Sequence, residues 1–357
     1  DIQPIATQIS KLRFFISLIV DQKANKTREN FGIRPLPNLE TKFVAANTLI
    51  GIDKPDGFLR NIELDKVEQK LKDVRHRLFS AKTPRTKREL REKDQLIREE
   101  MGNILENAGW SNESALQLAA WDPYNQNVSS GWFDSEWMFG IEEGFDVVIG
   151  NPPYVEFKKL PAQEKAKFSN YKSAKGKYDI YVIFNEKTHM LLKSNGLMCF
   201  IQPTTFMKKD FGEGIRKFIK ENYTIKSILD FADIQVFEGA TNYTGVFLFK
   251  KSSMPKNHKF EYHQYLNTYN SISIIDFQNS LTEKNSSITK NFLEIIAVEL
   301  DKSEWNFQND SINTLLAKIS IGTTPLSEIT DSIFQGIASG KDEVFYVNEN
   351  TIRDYSL

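Results

Sequence analysis

Gly144-Phe145-Asp146-Val147-Val148-Ile149-Gly150-Asn151-Pro152-Pro153-Tyr154 is the stretch whose reading decides the fold. An apolar run of strand length ends in a glycine, a proline-paired turn and an aromatic residue. That pattern predicts a buried strand of an open α/β sheet, with its turn at the carboxyl end where such sheets bind their ligands. The turn carries chemistry of its own. Asn151 offers a side-chain carbonyl and Pro152 a backbone carbonyl with no N–H, while Pro153 restricts residue 152 to an extended conformation. Two acceptors that converge on one point suit an amino group. A planar ring amine is a poor nucleophile because its lone pair is delocalised, and holding both hydrogens out of the ring plane returns that pair to nitrogen. Tyr154 adds a flat face on which a base can stack. A proline-rich turn that merely ends a strand is the plainer reading; the apolar strand before it and the aromatic after it favour a site.

Outward from this stretch, residues 180–193 have the pattern of a helix capped by Asn195-Gly196, and residues 197–202 that of a second buried strand. Residues 213–221 predict a helix with Ile215, Phe218 and Ile219 on one face, and residues 225–231 and 244–249 two further strands. Strands alternating with helices indicate a largely parallel α/β sheet. Gly212-Glu213-Gly214 reads as the start of a helix rather than a phosphate loop, since no third glycine follows. Upstream, Pro4 followed by Ile5, Ile9, Leu12, Ile16 and Ile19 predicts an amphipathic helix packed on a core, and residues 43–46 a short buried strand. Between them and the central stretch, Leu64, Val67, Leu71, Val74 and Leu78 form one apolar stripe. Leu90, Ile97, Met101 and Ile104 form another beyond Pro84. The pair predicts an inserted helical hairpin whose faces are charged with both signs. Past Lys251 the composition turns to Ser, Asn, Thr and Lys, with a strand pattern near Phe260-Glu261-Tyr262.

The 357 residues are 40% hydrophobic and 12% aromatic, enough for a sizeable core and about two domains. No stretch approaches the roughly 20 apolar residues of a membrane span, and the first residues lack the order of a signal peptide, which predicts a cytoplasmic protein without membrane contact. The single cysteine, Cys199, lies in an apolar run and reads as a buried strand thiol, so neither disulfides nor a zinc site is expected. A net charge of −1 confines any nucleic-acid binding to a local patch. One follows the turn directly: residues 158–177 hold seven lysines and one acid, Glu164. Either the segment is a solvated loop, or Lys158, Lys159, Lys165 and Lys167 contact phosphates.

Asn151-Pro152-Pro153-Tyr154 resembles motif IV of S-adenosylmethionine-dependent amino-methyltransferases. The wider chain resembles the gamma-class adenine-N6 DNA methyltransferase region of type IIG restriction-modification proteins. The resemblance also rests on Asp1-Ile2-Gln3-Pro4-Ile5-Ala6, Ala46-Asn47-Thr48-Leu49-Ile50, Trp121-Asp122-Pro123-Tyr124-Asn125-Gln126-Asn127, Tyr178-Asp179-Ile180-Tyr181 and Val236-Phe237. It implies a Rossmann-like methyltransferase sheet lacking its first strands, in which the last hairpin supplies an antiparallel strand, with the helical hairpin inserted and a recognition domain beginning near the end. On that basis residues 1–57 and 109–257 form the methyltransferase core and 58–108 the hairpin. Residues 258–320 are a transition, and 321–357 the start of the target-recognition domain, from Pro325-Leu326-Ser327-Glu328-Ile329 and Phe334-Gln335-Gly336-Ile337-Ala338-Ser339-Gly340.

The resemblance further implies site-specific methyl transfer from S-adenosylmethionine to N6 of an adenine flipped out of duplex DNA. Asn151, Pro152, Pro153 and Tyr154 would be catalytic, with Tyr154 and Phe237 stacking on the base. Asp1, Ile2, Asn47, Thr48 and Asn151 would bind the cofactor, and no metal is required. Asn47 also has the plain reading of a turn residue, and Asp179 that of a charge at a helix start. The glycine-rich cofactor loop has no counterpart downstream of Asp1, so the chain is expected to begin inside the catalytic domain and to be inactive alone. A nuclease domain or subunit is expected outside it. The alternatives are protein-glutamine N5 or cytosine-N4 methylation and, from another class, a non-catalytic DNA-binding fragment.

Overall fold

The computed structural model describes residues 2–55, 62–176, 178–237, 243–265, 290–297, 300, 304–307, 314–315, 318–324 and 326–330. Six strands form one sheet in the order β1-β2-β4-β3-β5-β6: β1 (Phe145–Gly150), β2 (Leu192–Pro203), β3 (Tyr223–Asp230), β4 (Thr244–Lys251), β5 (Lys259–Tyr265) and β6 (Lys290–Ile296). Helices α7 (Tyr181–Leu191) and α8 (Glu213–Asn222) cover one face. Alternation decides what they cover. Met198 and Phe200 of β2, Ile225 and Ile228 of β3, and Phe247 and Phe249 of β4 are each at most 3% exposed, whereas Leu197, Cys199 and Leu248 between them are half-buried. A bulge at Lys226 lets Ile225 and Ile228 share the covered face. Each such side chain contributes about 1.5–3 kcal/mol, and Val182, Ile183, Ile215 and Ile219 of α7 and α8 complete the layer.

The sheet is mixed rather than largely parallel. β1 and β2 run parallel, as do β3 and β5, but β4 is antiparallel to both β2 and β3, and β6 to β5. With no described helix between them, β3 and β4 have no crossover to make them parallel. Residues 259–265 and 290–296, which read as part of a transition, extend this same sheet.

The central stretch does form a strand, but not a buried one. β1 lies at the sheet edge, with Val147 51% and Ile149 76% exposed, because no described element covers that face. Only Val148 packs on the core. Cys199, paired in register with Ile149, is half-buried for the same reason. Gly144 precedes β1 at φ +95°, and a Cβ there would come within 2.7 Å of the Leu191 carbonyl, so close passage against the α7–β2 junction requires glycine. That junction is sharper than the sequence suggests: α7 ends at Leu191, and Asn195, at φ 66°, bends β2 rather than capping a helix.

The amino-terminal helix α1 (Pro4–Val20) forms, and its Phe14 ring meets Phe43 at 5.9 Å, but it does not pack through the apolar stripe that the sequence predicts. Ile5, Ile9, Leu12, Ile16 and Ile19 are 47–62% exposed, and Thr7 is its one buried residue. Periodicity dictates the helix; a partner face has to come from elsewhere. Residues 43–46 make no strand, only a bridge between Ala46 and Ser130.

The helices α2 (Ile62–Ser80) and α3 (Pro84–Asn107) pack side by side through Leu64, Val67, Leu71, Val74, Leu78, Leu90, Met101 and Ile104, all buried. Thr83 caps α3 through the Thr86 amide, and Pro84 starts it. Helices α4 (Asn112–Ala120) and α5 (Ser135–Phe139) join this second core, with Trp137 from α5 and Trp110 and Trp132 from the segments before the two helices. An ion network crosses it. Asp94, 0% exposed, accepts from Arg75 Nε and Arg98 Nε at 2.8 Å each. Arg98 continues to the carbonyls of Ala119 and Trp121, and Arg75 to that of Trp137. No helix among the described residues is long and apolar enough to cross a membrane.

Residues 308–357 are a separate unit, whose described part includes a short helix, Leu326–Ile329. The stretch 334–340 lies outside the described residues.

Candidate active site

The turn at the end of β1 places Asn151 in solvent, Pro152 buried and Pro153 exposed, with Tyr154 half-buried. The Asn151 side chain makes no hydrogen bond to another described residue, so its carbonyl oxygen is open to a ligand. Tyr154 is fixed twice. Its hydroxyl donates to the Ile201 carbonyl near the end of β2 at 3.3 Å, and its ring meets the edge of Tyr181 at 6.4 Å and 79°. Tyr181 is itself held by Thr205, with 3.2 Å between the two hydroxyls, and lies against Phe206. Burial pushes the Tyr154 phenol up to about 12, so the ring is neutral at any physiological pH.

The chain leaves this turn, makes an excursion, and returns beside it. Ile180 donates to the Val155 carbonyl, Phe157 donates to the Tyr178 carbonyl, and Glu156 bridges Asp179 antiparallel. Phe157 stacks on Tyr178 at 4.6 Å. The basic segment is thus a closed loop rooted at the tetrad, with α6 (Ala162–Phe168) inside it. Its far limb is pinned by Glu186, 2% exposed, whose carboxylate accepts the Lys172 and Ser173 amides at 3.1 and 2.7 Å. Its lysines are not uniformly free. Lys158 and Lys159 both pair with Glu156, which holds that carboxyl down at about 2. Lys165 donates to the Lys158 carbonyl and lies over the Phe157 ring, while Lys167 is exposed. Asp179 is shifted the other way, upward, by burial and then by Glu156.

The remaining candidates fall into two groups. Asn47 accepts the Leu49 amide through Oδ1 at 3.2 Å, which is the turn geometry of an Asn, and Thr48 lies inside that turn. Tyr171 of the basic loop donates to the Leu49 carbonyl at 2.7 Å, so this turn is tied to the segment that follows the tetrad. Phe237, half-buried, directly follows Val236, which packs in a cluster with Ile201, the residue that receives Tyr154. Ile2 is 54% exposed, and Asp1 lies outside the described residues. Gly212 stands at the start of α8, where a Cβ would sit 1.8 Å from the Phe206 carbonyl; it is a packing glycine.

Sequence reasoning did not single out Ile201, Glu186 or Asp230. A signal existed for Glu186, the one acid in α7, and for Asp230, the acid that closes β3 directly after Ile228 and Leu229. Elsewhere, Glu68, Glu136 and Glu142 converge near the hairpin, but Lys54 pairs with Glu136 and Lys72 with Glu142, which accounts for their proximity as ion pairing. Two cavities of about 410 and 480 Å³ also line the hairpin rather than the tetrad.

The Eco57I restriction-modification methylase profile matches residues 1–237. The chain is 28% identical over 181 residues to the type II restriction enzyme and methyltransferase RM.Eco57I of Escherichia coli, covering 49% of this chain and 17% of that protein. It is 37% identical over 98 residues to the type II methyltransferase M.BanIII of Aneurinibacillus aneurinilyticus, covering 28% and 17%. The matched stretches therefore span about a sixth of the length of these relatives. Among solved structures, the type IIG restriction endonuclease BpuSI is 14% identical with a TM-score of 0.36, over 69% of this chain and 32% of that one. The family match spans residues 1–237, about two thirds of the chain, and includes the tetrad and Phe237. On that match, the chain belongs to the Eco57I restriction-modification methylase family.

Proposed function

We propose that this chain holds the target base of a DNA adenine-N6 methyltransferase. The observation that carries the reading is the tetrad itself: an exposed, unengaged Asn151 beside a Tyr154 ring immobilised by Ile201 and Tyr181. An adenine rotated out of the duplex would lie on the Tyr154 face, with Phe237 as its second stacking surface. The Asn151 side-chain carbonyl and the Pro152 backbone carbonyl would accept its two amine hydrogens. That contact returns the lone pair to N6 and makes it the nucleophile without a titrating base. The buried root of the loop, formed by Phe157 stacked on Tyr178, keeps water from that side of the amine. The lysines of residues 158–167 supply phosphate contacts that carry no sequence information.

S-adenosylmethionine is the methyl donor in this reading, and the described residues fit it only in part. Asn47 has committed Oδ1 to the Leu49 amide, Ile2 is exposed, and the edge of β1 nearest the tetrad is open. These residues do not enclose a cofactor, so the reading concerns the base side alone.

Asn151→Ala and Tyr154→Ala in the full-length protein should abolish most methylation of duplex DNA while the protein remains folded, with a lowered melting temperature only for Tyr154→Ala, which loses its contacts with Ile201 and Tyr181. Removing stacking on one base costs about 1–3 kcal/mol. Methylation near the wild-type rate in either variant would overturn the assignment. Mass analysis of digested nucleosides separates N6-methyladenine from N4-methylcytosine, and a glutamine-bearing protein substrate tests the remaining acceptor.

A further inference from the structure

Asp230 closes β3, is 5% exposed, and uses both carboxylate oxygens. Oδ1 accepts the Ala232 amide at 2.8 Å, and Oδ2 accepts the Tyr262 hydroxyl of β5 at 2.7 Å. Ala232 sits at φ 50°, the left-handed region that a residue with a Cβ avoids. The carboxylate therefore holds a turn that the backbone alone would not favour. From this turn the chain runs over a small apolar cluster. Ile234 donates to the Phe231 carbonyl, Phe231 stacks on Tyr265 at 5.2 Å and 16°, and both pack with Val236 and Ile201. Phe237 follows Val236 directly. Ile201, on the other side of the cluster, is the residue whose carbonyl receives the Tyr154 hydroxyl. The two aromatic residues of the proposed base slot are thus both referenced to one residue of β2. One of the two references depends on the turn that Asp230 holds.

We propose that Asp230 is a positioning residue which, by holding the left-handed turn at Ala232 against Tyr262, sets Phe237 relative to Tyr154 and so the width of the slot that receives the base. This rests on the reading of Tyr154 and Phe237 as stacking surfaces. A side chain displaced by about 1 Å from the reacting geometry can lower a rate by about 100-fold, which gives the scale of the effect.

The test uses the full-length protein with two duplexes: one carrying adenine at the target position, on which methylation is measured, and one carrying 2-aminopurine there, a base with no N6 amine to methylate whose fluorescence rises when it is unstacked. Four variants are compared: Asp230→Ala, Asp230→Asn, Phe237→Ala and Ile228→Val, the last a destabilising change in the same strand that leaves the turn intact. Asp230→Ala should reproduce the brighter signal of Phe237→Ala and lower kcat/KM for methylation by about 10- to 100-fold, with affinity for non-specific duplex within about twofold. Asp230→Asn keeps an acceptor for the Ala232 amide and should recover most of both. The proposal is overturned if Asp230→Ala leaves the fluorescence at the wild-type level. It is equally overturned if Ile228→Val, matched in melting temperature, gives the same change. If Phe237→Ala itself alters neither readout, the stacking reading fails; if Phe237→Ala alters both and Asp230→Ala neither, the positioning role alone fails.

Discussion

Replacing Asp94 by Ala should destabilise the protein more than any change at the tetrad. Asp94 is fully buried and bonded at 2.8 Å to the Nε atoms of Arg75 and Arg98, whose side chains are only 11% and 5% exposed. Each bond to a charged partner is worth about 1.5–3 kcal/mol net. Truncation also leaves two guanidinium groups buried with the backbone carbonyls of Ala119, Trp121, Trp137 and Met138, the Trp121 ring beneath Arg75 and the exposed carboxylate of Asp122 3.9 Å from Arg98 as their remaining partners. Breaking a buried pair in this way costs about 3–5 kcal/mol, a large share of the roughly 5–15 kcal/mol that holds a typical domain together. Four of the five tryptophans, Trp110, Trp121, Trp132 and Trp137, belong to the core that this network crosses, so urea unfolding followed by tryptophan fluorescence reads it directly. Asp94→Asn, which keeps one good acceptor, should lose about half as much. Because the pairs are out of water, added salt should change the loss little. A loss below about 1 kcal/mol for Asp94→Ala would refute the reasoning, since it would mean that neither guanidinium depends on the carboxylate.

Three further outcomes follow from the site. Changing Lys158, Lys159, Lys165 and Lys167 to Gln should weaken DNA binding and flatten its salt dependence, the log–log slope falling by about 0.9 for each phosphate no longer neutralised. Glu156→Gln, which releases Lys158 and Lys159, should instead raise affinity at low salt, and fluorescence anisotropy across a salt series reads both. Asp179 has a folded pKa raised above its unfolded value by burial and Glu156, so its charged form opposes folding above that pKa and the opposition fades as pH falls through it. Asp179→Asn should therefore raise the melting temperature at pH 7 and lose that advantage in acid, and an unchanged difference across that range would contradict the assignment.

Local patterns carried much of this molecule. The tetrad, the strand before it, the helix pair around Pro84 and the strands of residues 223–230 and 244–251 each occupy one continuous stretch, so side-chain period and turn chemistry suffice to read them. The same patterns misjudged partners. The stripe of α1 dictated a helix and left Ile5, Ile9 and Leu12 in solvent, and the apolar run of β1 dictated a strand but not whether anything would cover Val147 and Ile149. Period is a property of the backbone, whereas burial belongs to whatever arrives from elsewhere in the chain. The lysines of the basic loop illustrate the point at the site: their number was legible, but the pairing of Lys158 and Lys159 with Glu156 depends on how the loop root folds back.

By itself, then, the sequence determined which residues stand at the end of β1 and the family to which the chain belongs, because both are read along the chain. Only the tertiary structure decided the order of the strands, that Tyr154 is held by Ile201 forty-seven residues away, and that Asp230 reaches across to Tyr262. Those contacts depend on strand order and register, and no local period of side chains specifies which distant strand becomes a neighbour.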